Sequence, residues 1–382
     1  MLKINGLLIA VLQVAVLSGC AGTVEKKAEA TFYPPLPQQP RLQFLLPITG
    51  EEDIGAKQDS GLKEWLIGKQ ASAKRIRRPH DIASSKGRIY VLDRTFKKIL
   101  YFDLEKKSLD YIRDEREGAL SEPMGLWVTP DDVKYVADKG RKQVLLFDKD
   151  NQYIRAYGDK DLFEEPMDVA VYQDRVYVLD YSKMVVVVLD RESGTVLQTI
   201  GEPGTDEGKL NRPTHISVDH EGNIYVNDGF NYRVQKFDPK GNYLKHFGYQ
   251  GDTLGGFARP KGVAVDHTGL VYAVDTAFEN TQIFHPDTAE PLLFFGGYGL
   301  HAGSMYMPTS VNVDYENLNY FEQYADKDFK LKYLVYVGNQ LGQHKLNVYG
   351  FGEWVGAPLP VIKLQPVPVP SAKGGEDPSA SK

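Results

Sequence analysis

The feature that most constrains the fold of this chain is an internal repeat. Six segments open with Pro and run directly into a short strand-like stretch, and their prolines stand 43 to 48 residues apart, at Pro79, Pro123, Pro166, Pro213, Pro260 and Pro308. A fixed period of this length is typical of solenoids and propellers. The 382 residues are therefore organised as copies of one unit rather than as two or three unrelated domains.

The fourth repeat contains the parts of this unit most completely. Residues 215–248 hold four short runs of β-branched and aromatic residues, separated by polar turns that carry glycine. Such runs and turns predict four strands joined as hairpins. One sheet of this size leaves its apolar faces exposed, whereas six sheets arranged radially cover one another. The sequence predicts an all-β fold, a six-bladed β-propeller with four-stranded blades.

The sixth repeat has no clear fourth strand of its own. An apolar segment at 41–46 precedes the first repeat and has no place in it. Insertion of this segment into the last blade would remove an open sheet edge and join the two ends of the ring. We therefore predict that an N-terminal strand closes the sixth blade and that the propeller spans residues 41–356.

The N-terminus has the features of an export signal. Residues 1–19 carry Lys3 followed by an apolar stretch of the length typical of a signal peptide. The sequence Leu17-Ser18-Gly19-Cys20 then resembles the bacterial lipobox. The resemblance implies cleavage before Cys20 and attachment of lipid, including fatty acids such as palmitate, to its thiol. The alternative is an ordinary signal peptide with an incidental cysteine.

The segments around the propeller complete the predicted organisation. Residues 20–40 become Pro-rich and predict an extended tether, and residues 357–382 predict a Pro-rich disordered tail. Ala21, in the place where Asp would favour retention at the inner membrane, implies the outer membrane of a Gram-negative bacterium. The lipid on Cys20 is the only cofactor expected.

Charge and cysteine content exclude several classes of function. The net charge of −6 lacks the basic excess of a nucleic-acid binder, so nucleic acid is not an expected partner. A single cysteine excludes an intramolecular disulfide and any thiolate metal cluster. The sequence leaves the oligomeric state open.

The repeats resemble NHL repeats. In that family a Pro-led strand is followed by a strand ending in Asp and then by Asn-x-Arg, as in the segment 228–234, Asp-Gly-Phe-Asn-Tyr-Arg-Val. The similarity covers residues 79 to about 350 and implies a six-bladed ring. It does not by itself imply one function, because one propeller serves many roles.

Two sets of polar residues are predicted to converge at one end of the central channel. The first lies at the strand starts and comprises His80, Asp81, Asp168, His215 and Ser310. The second ends the second strands: Asp93, Asp138, Asp180, Asp228 and Asp275, with Gly338 in the sixth repeat. We interpret the second set as acceptors for backbone N–H groups in each turn. The first set is a candidate binding site, with water-bonded channel residues as the alternative.

A comparison with peptide-amidating lyases, which are NHL-type propellers, argues against zinc chemistry here. In those enzymes zinc is held by His directly after the leading Pro in three blades, and only His80 occupies that position in this sequence. His215 lies one residue later and is expected to point elsewhere, because successive strand residues alternate in direction. Phe230 stands where the lyases have a catalytic Tyr. We therefore predict no metal site and no catalytic residue.

The sixth repeat also carries a long insertion between its first two strands. It is acidic and rich in aromatic residues, with Tyr315, Tyr320, Phe321 and Tyr324 as candidate contacts to a partner protein. A solvated loop or a longer hairpin is the alternative.

The predicted function is that of a membrane-anchored envelope lipoprotein. Its propeller would act, without catalysis, as a rigid platform for other envelope or surface proteins. The alternative is a hydrolase or lyase that acts on a small polar substrate at the channel end with a divalent metal. A third possibility is a binder of carbohydrate or peptidoglycan.

Overall fold

The computed structural model describes residues 30–55, 74–113, 115–159 and 161–360. The predicted signal peptide, Cys20 and the C-terminal segment 361–382 lie outside the described residues. Among the described residues, no helix is long and apolar enough to cross a membrane.

Six antiparallel sheets form the predicted six-bladed β-propeller. In the first five sheets the strands follow one another from the axis outward in chain order. The innermost strands of neighbouring blades contact each other around a closed ring. From the inside outward, the strands of blade 1 are Pro79–Ser85, Arg88–Asp93, Lys98–Asp103 and Ser108–Tyr111. Those of blade 2 are Pro123–Val128, Lys134–Asp138, Gln143–Phe147 and Tyr153–Tyr157. Those of blade 3 are Pro166–Tyr172, Arg175–Asp180, Val185–Asp190 and Val196–Ile200. The strands of blade 4 are His215–Val218, Ile224–Asp228, Arg233–Phe237 and Tyr243–Phe247. Those of blade 5 are Pro260–Val265, Val271–Asp275, Asn280–Phe284 and Pro291–Gly296.

The sixth blade confirms the predicted ring closure. Its strands from the inside are Pro308–Asp314, Phe329–Asn339, Leu346–Trp354 and, from the N-terminus, Leu42–Ile48. Leu42 pairs with Phe351 and Ile48 pairs with Leu346 in antiparallel register. A short outer strand, Phe32–Tyr33, pairs with this closing strand. The segment assigned to the tether therefore begins to join the propeller by residue 32.

The remaining elements are short. They comprise one parallel pair, Tyr249–Gln250 and Gly256–Phe257, the α-helix Leu318–Phe321, and the 3-10 helices Glu51–Ile54, Arg116–Gly118, Gly229–Asn231 and Glu322–Tyr324.

The core consists of six apolar clusters, one between each pair of neighbouring blades. Every blade contributes to them a buried tyrosine from its second strand: Tyr90, Tyr135, Tyr177, Tyr225, Tyr272 and Tyr336. Aromatic residues bury a large apolar area and occupy the pleated surface of a strand well. Because each cluster is shared by two blades, the stability of the ring depends on every blade being present.

The insertion of the sixth blade packs onto the body of the protein. Phe321 is fully buried, and the Tyr320 hydroxyl donates a hydrogen bond to the Ile54 carbonyl at 2.8 Å. Tyr315 stacks on His267 with ring centroids 3.7 Å apart. The insertion therefore joins blade 6 to its neighbours, and its exposed residues are polar ones such as Glu316 and Glu322.

Candidate functional site

The aspartates that end the second strands confirm the interpretation as turn acceptors. Asp138 is representative, because its carboxylate accepts the backbone N–H groups of Ser121, Glu122 and Arg141 at 2.7 to 3.0 Å. Asp93, Asp180 and Asp275 accept backbone N–H groups from the same two connections. Asp228 accepts the backbone N–H of Asn211 and side-chain N–H groups of Asn231, Arg233 and Gln235. All five aspartates are fully buried. Each aspartate thus fastens the entry of its blade to the following turn.

The sixth blade uses a different residue from the one assigned by sequence. Asn339, rather than Gly338, pairs with the leading Pro308, as Asp93 pairs with Pro79. The Asn339 side-chain carbonyl accepts the N–H of Tyr306 at 3.1 Å. The one-residue error arose because the second strand of this blade continues to Asn339, two residues past Val337, where the apolar run in the sequence ends.

Two loop systems define two faces of the propeller. The connecting face carries the loops from one blade to the next and the loops between second and third strands. The hairpin face carries the loops between first and second strands and between third and fourth strands. All five candidate channel residues are buried inside the ring rather than placed at an open end, with exposed fractions of 1 to 6%.

Asp81 and Asp168 link neighbouring blades at the axis. Asp81 accepts the N–H groups of Ile82 at 2.8 Å and of Leu126, in the next blade, at 2.7 Å. Asp168 accepts those of Val169 at 2.8 Å and of Ile216, again in the next blade, at 2.9 Å. Both carboxyl groups therefore fasten one innermost strand to the following one.

The two carboxyl groups meet over blade 2. A Cβ atom on Gly125 would lie 2.3 Å from Asp168 Oδ1, so only glycine leaves room for this side chain. Burial raises the pKa of Asp81 to about 7, against the lowering effect of its two backbone hydrogen bonds. Burial, and then the charge of Asp81, raise the pKa of Asp168 well above its ordinary value. Neutral carboxylic acids are therefore accessible here near physiological pH.

His80 and His215 meet across the axis from opposite blades. Their rings are nearly parallel, with centroids 6.0 Å apart. The expectation that His215 points away from His80 was wrong, because a bulge between Pro79 and Asp81 interrupts the alternation on which it depended. The fold therefore brings both histidines together at the axis, as the first set of polar residues predicted.

Both imidazoles are neutral at physiological pH. Burial lowers the pKa of His215 to about 3, with a contribution from Lys261. Burial, then His215 and Lys261, lower the pKa of His80 well below its ordinary value. A backbone carbonyl of the following blade, that of Met124 for His80 and that of Lys261 for His215, opposes this lowering of the pKa. Within the described part of the chain, both Nδ1 atoms are buried without a partner.

Ser310 stands apart from this group. Its hydroxyl has no partner among the described residues and lies against Gly338, between blades 6 and 1. Ser310 does not line the axial cavity. Nor does any group of three His, Cys, Asp or Glu side chains in the described ranges have the geometry to hold a metal ion.

A cavity of about 610 Å³ occupies the axis, with Asp81, Asp168 and His215 among its lining residues. It opens on the hairpin face, where each blade contributes one rim residue: Lys86, Asp131, Gln173, His220, His267 and Glu316. The predicted channel end, on the connecting face, is therefore not where this cavity opens.

The wall of the cavity is aliphatic, a feature that the sequence analysis missed. Its two rings are Ile82, Leu126, Val169, Ile216, Val263 and Val311, and then Ser84, Val128, Val171, Val218, Val265 and Val313. In the sequence these wall residues appear as apolar positions at fixed distances after each leading Pro. Without knowledge of which strand face looks inward, these residues could not be told apart from the inter-blade core.

The connecting face is distinguished by exposed apolar side chains. Its loops carry seven of them, Phe96, Phe230, Tyr249, Leu254, Tyr298, Leu300 and Leu341. Tyr298 is 81% exposed and Leu300 is 99% exposed. The seven lie on blades 4, 5, 6 and 1, which are consecutive in the ring. Among the described residues, the loops between first and second strands and between third and fourth strands carry no such side chain, and Leu36 is exposed in the loop before the closing strand.

Comparison with known proteins supports the fold and leaves the family open. No protein-family model matches the chain. A probable peptidyl-alpha-hydroxyglycine alpha-amidating lyase of Caenorhabditis elegans is 30% identical over 108 residues, 27% of this chain and 31% of that protein. An E3 ubiquitin-protein ligase of Rattus norvegicus is 35% identical over 95 residues, 24% of this chain and 11% of that protein. The chain thus spans a third or less of either relative.

Solved structures show the same architecture. A Bacteroides thetaiotaomicron protein of unknown function superposes with a TM-score of 0.54 at 15% identity, over 81% of this chain and 75% of that one. Virginiamycin B lyase from Staphylococcus aureus superposes with a TM-score of 0.49 at 12% identity, over 72% of this chain and 84% of that one. At these identities the likeness concerns the fold alone.

Proposed function

We propose that this protein is a bacterial envelope lipoprotein, anchored at the outer membrane through lipid on Cys20, whose propeller binds another envelope protein without catalysis. The observation that carries the binding role is the concentration of exposed apolar side chains on the connecting face. Large apolar patches rimmed by polar residues are typical of protein interaction sites, and aromatic side chains dominate the binding energy of such sites. The partner is expected to offer an apolar surface to this face.

The binding surface proposed here replaces the one favoured by sequence. Tyr315, Tyr320, Phe321 and Tyr324 contribute to packing within the protein, so their aromatic rings are largely committed to intramolecular contacts. The connecting-face residues stand on loops with few intramolecular demands on their side chains. Rigid strands hold those loops in place, which limits the conformational entropy lost on binding.

The anchor and the platform act together. A lipid holds the protein at the membrane, and the chain from Cys20 to Thr31 can span at most about 40 Å when fully extended. Confinement of this kind raises the effective concentration of the propeller for partners in the same membrane. The alternative of a metal-dependent hydrolase or lyase has no specific observation in its favour, since the described residues provide no converging set of ligands.

The binding face can be tested by charge substitution. Leu300→Asp combined with Phe230→Asp places charges on the connecting face, and we expect it to abolish in-cell crosslinking to the partner. Leu292→Asp combined with Phe294→Asp is the matched control, because these residues are half exposed on the outermost strand of blade 5. Equal loss with both pairs, or retention with both, would contradict a binding site on the connecting face.

A further inference from the structure

The axial cavity has a floor rich in hydrogen-bond acceptors. Asp81 and Asp168 lie there with His215, and each carboxylate oxygen accepts a single backbone N–H. A carboxylate offers about four lone-pair sites, so each of these groups retains unused capacity. The floor can therefore accept further hydrogen bonds from a ligand.

His215 adds an acceptor that nothing in the described structure satisfies. The Lys261 carbonyl favours a proton on the His215 ring, and the Nδ1 atom of that ring is buried without a partner among the described residues. In a neutral imidazole with Nε2 as the donor, Nδ1 carries a free lone pair. His215 is 5% exposed and lines the cavity, so this lone pair belongs to a site shielded from bulk water.

The wall above the floor has the opposite character. Eleven of the twelve residues in its two rings are aliphatic, and Ser84 is the exception. Successive rings are separated by about 7 Å, the rise of two residues along a strand. A cavity of 610 Å³ falls in the range of small-molecule sites, which are mostly apolar with a few placed polar groups.

The charge of the lining specifies the ligand further. Seven acidic side chains line the cavity against two basic ones, Lys86 and Arg191. Of the acids nearer the opening, Asp219, Asp266 and Asp314 accept backbone N–H groups within turns. Asp131 and Glu316 lie at the rim of the opening, and Asp131 is paired with Arg191 at 3.9 Å. The acids of the floor therefore remain as the charge available to a ligand.

We propose that the axial cavity binds a small aliphatic primary amine, with its ammonium group between Asp81 and Asp168 and its apolar body against the aliphatic rings. An ammonium group is a donor with no acceptor capacity, which suits the two carboxylates in their ionised form. Its positive charge between them opposes the effect of burial and favours that ionised form. Two carboxylates compensate for its burial. This site lies on the opposite side of the ring from the proposed protein-binding face and is independent of it.

The experiment uses the full chain in lipid nanodiscs, with empty nanodiscs as the blank for partitioning. n-Hexylamine, 1-hexanol and hexanoate are titrated in turn by calorimetry. We expect one hexylamine per chain, bound at least tenfold more tightly than hexanol, and no binding of hexanoate. Equal affinity for the three probes, or no saturable hexylamine binding, would overturn the proposal.

Variants separate the floor from the wall. Asp81→Asn or Asp168→Asn should weaken hexylamine binding at least tenfold, whereas Asp252→Asn, in an exposed connecting-face loop, should leave it within twofold. Val265 is half-buried in the second aliphatic ring of the cavity wall, and Val265→Phe should fill the cavity and abolish hexylamine binding. This wall variant tests the site even if a floor variant fails to fold. Unchanged binding by Val265→Phe would place the amine elsewhere and refute the proposed site.

Discussion

At the scale of single residues, buried carboxylates serve two purposes in this propeller. The turn aspartates each accept several N–H groups, mostly from the backbone, and they repeat from blade to blade. The axial pair, Asp81 and Asp168, occurs in only two blades and lies in a cavity. The turn aspartates could be identified as structural because they repeat in the sequence. The raised pKa values of Asp81 and Asp168 depend instead on their burial at the axis, where blades 1 and 3 both contribute.

The raised pKa of Asp81 predicts a pH-dependent contribution to stability. Its pKa lies at 3.8 in the unfolded chain and at about 7 in the folded protein. The folded state therefore holds the proton more tightly between these values, so this contribution is full below pH 3.8 and is lost as the pH rises through about 7. A shift of this size corresponds to up to about 4 kcal/mol.

Asp81→Asn should remove this contribution. Because His80 and His215 titrate in the opposite sense, and Asp168 in the same sense, the informative quantity is the difference between variant and wild type. We expect the free energy of unfolding of the variant to improve relative to wild type as the pH rises from 4 to 7.5, measured by urea denaturation. A difference that does not change with pH would show that Asp81 ionises normally.

At the scale of elements, the closing strand is the piece on which the ring depends. Leu42–Ile48 supplies the fourth strand of blade 6, and Leu42, Leu46 and Ile48 are buried in two different inter-blade clusters. The sequence indicated this role through an absence, the missing fourth strand of the last repeat. The outer strand Phe32–Tyr33 gave no comparable signal, since two residues are too few for a periodic pattern.

Deletion of residues 41–48 should strongly destabilise the protein. Loss of three buried aliphatic side chains alone costs about 6 kcal/mol, enough to lower the melting temperature by more than about 10 °C. Deletion of residues 375–382, an equal length at the other end, serves as the control and should leave the melting temperature unchanged. Thermal unfolding followed by circular dichroism decides the matter, and equal stability of both deletions would contradict closure by this strand.

At the scale of the whole molecule, the propeller presents two different faces. The connecting face carries exposed aromatic and aliphatic side chains, and the hairpin face carries the opening of an acidic, aliphatic-walled cavity. A ring of six blades separates the two, so a protein partner and a small ligand can be bound at the same time. The proposed lipid anchor at Cys20, in a segment outside the described residues, would add a third contact.

Anchoring predicts a simple change in location. Cys20→Ser removes the only thiol that could receive lipid, so the variant should move from the membrane fraction to the soluble periplasmic fraction and lose labelling by radioactive palmitate. Lys26→Ser, in the same segment, is the matched control and should remain at the membrane. Retention of both variants in the membrane would show that the anchor lies elsewhere.

The sequence by itself determined the number of blades, the four strands of the unit, the closing strand and the turn aspartates. The blades, their strands and the turn aspartates repeat along the chain, and the closing strand follows from the one gap in that repeat, so the periodic pattern suffices to predict them. Only the tertiary structure decided the position of the axial residues and of the insertion. A bulge redirected His80 toward His215, and Asp81 and Asp168 came together across 87 residues of sequence at Gly125.

The same distinction explains the two faces. Strand alternation leaves open which apolar residues line the axis and which fill the contacts between blades, because both repeat with the same period. Closure of the ring gives apolar side chains of the innermost strands both roles: Val169 and Val263, for example, line the cavity and also belong to core clusters between blades. The cavity and the apolar connecting face are products of that closure, and they are where this protein's function is most open to experiment.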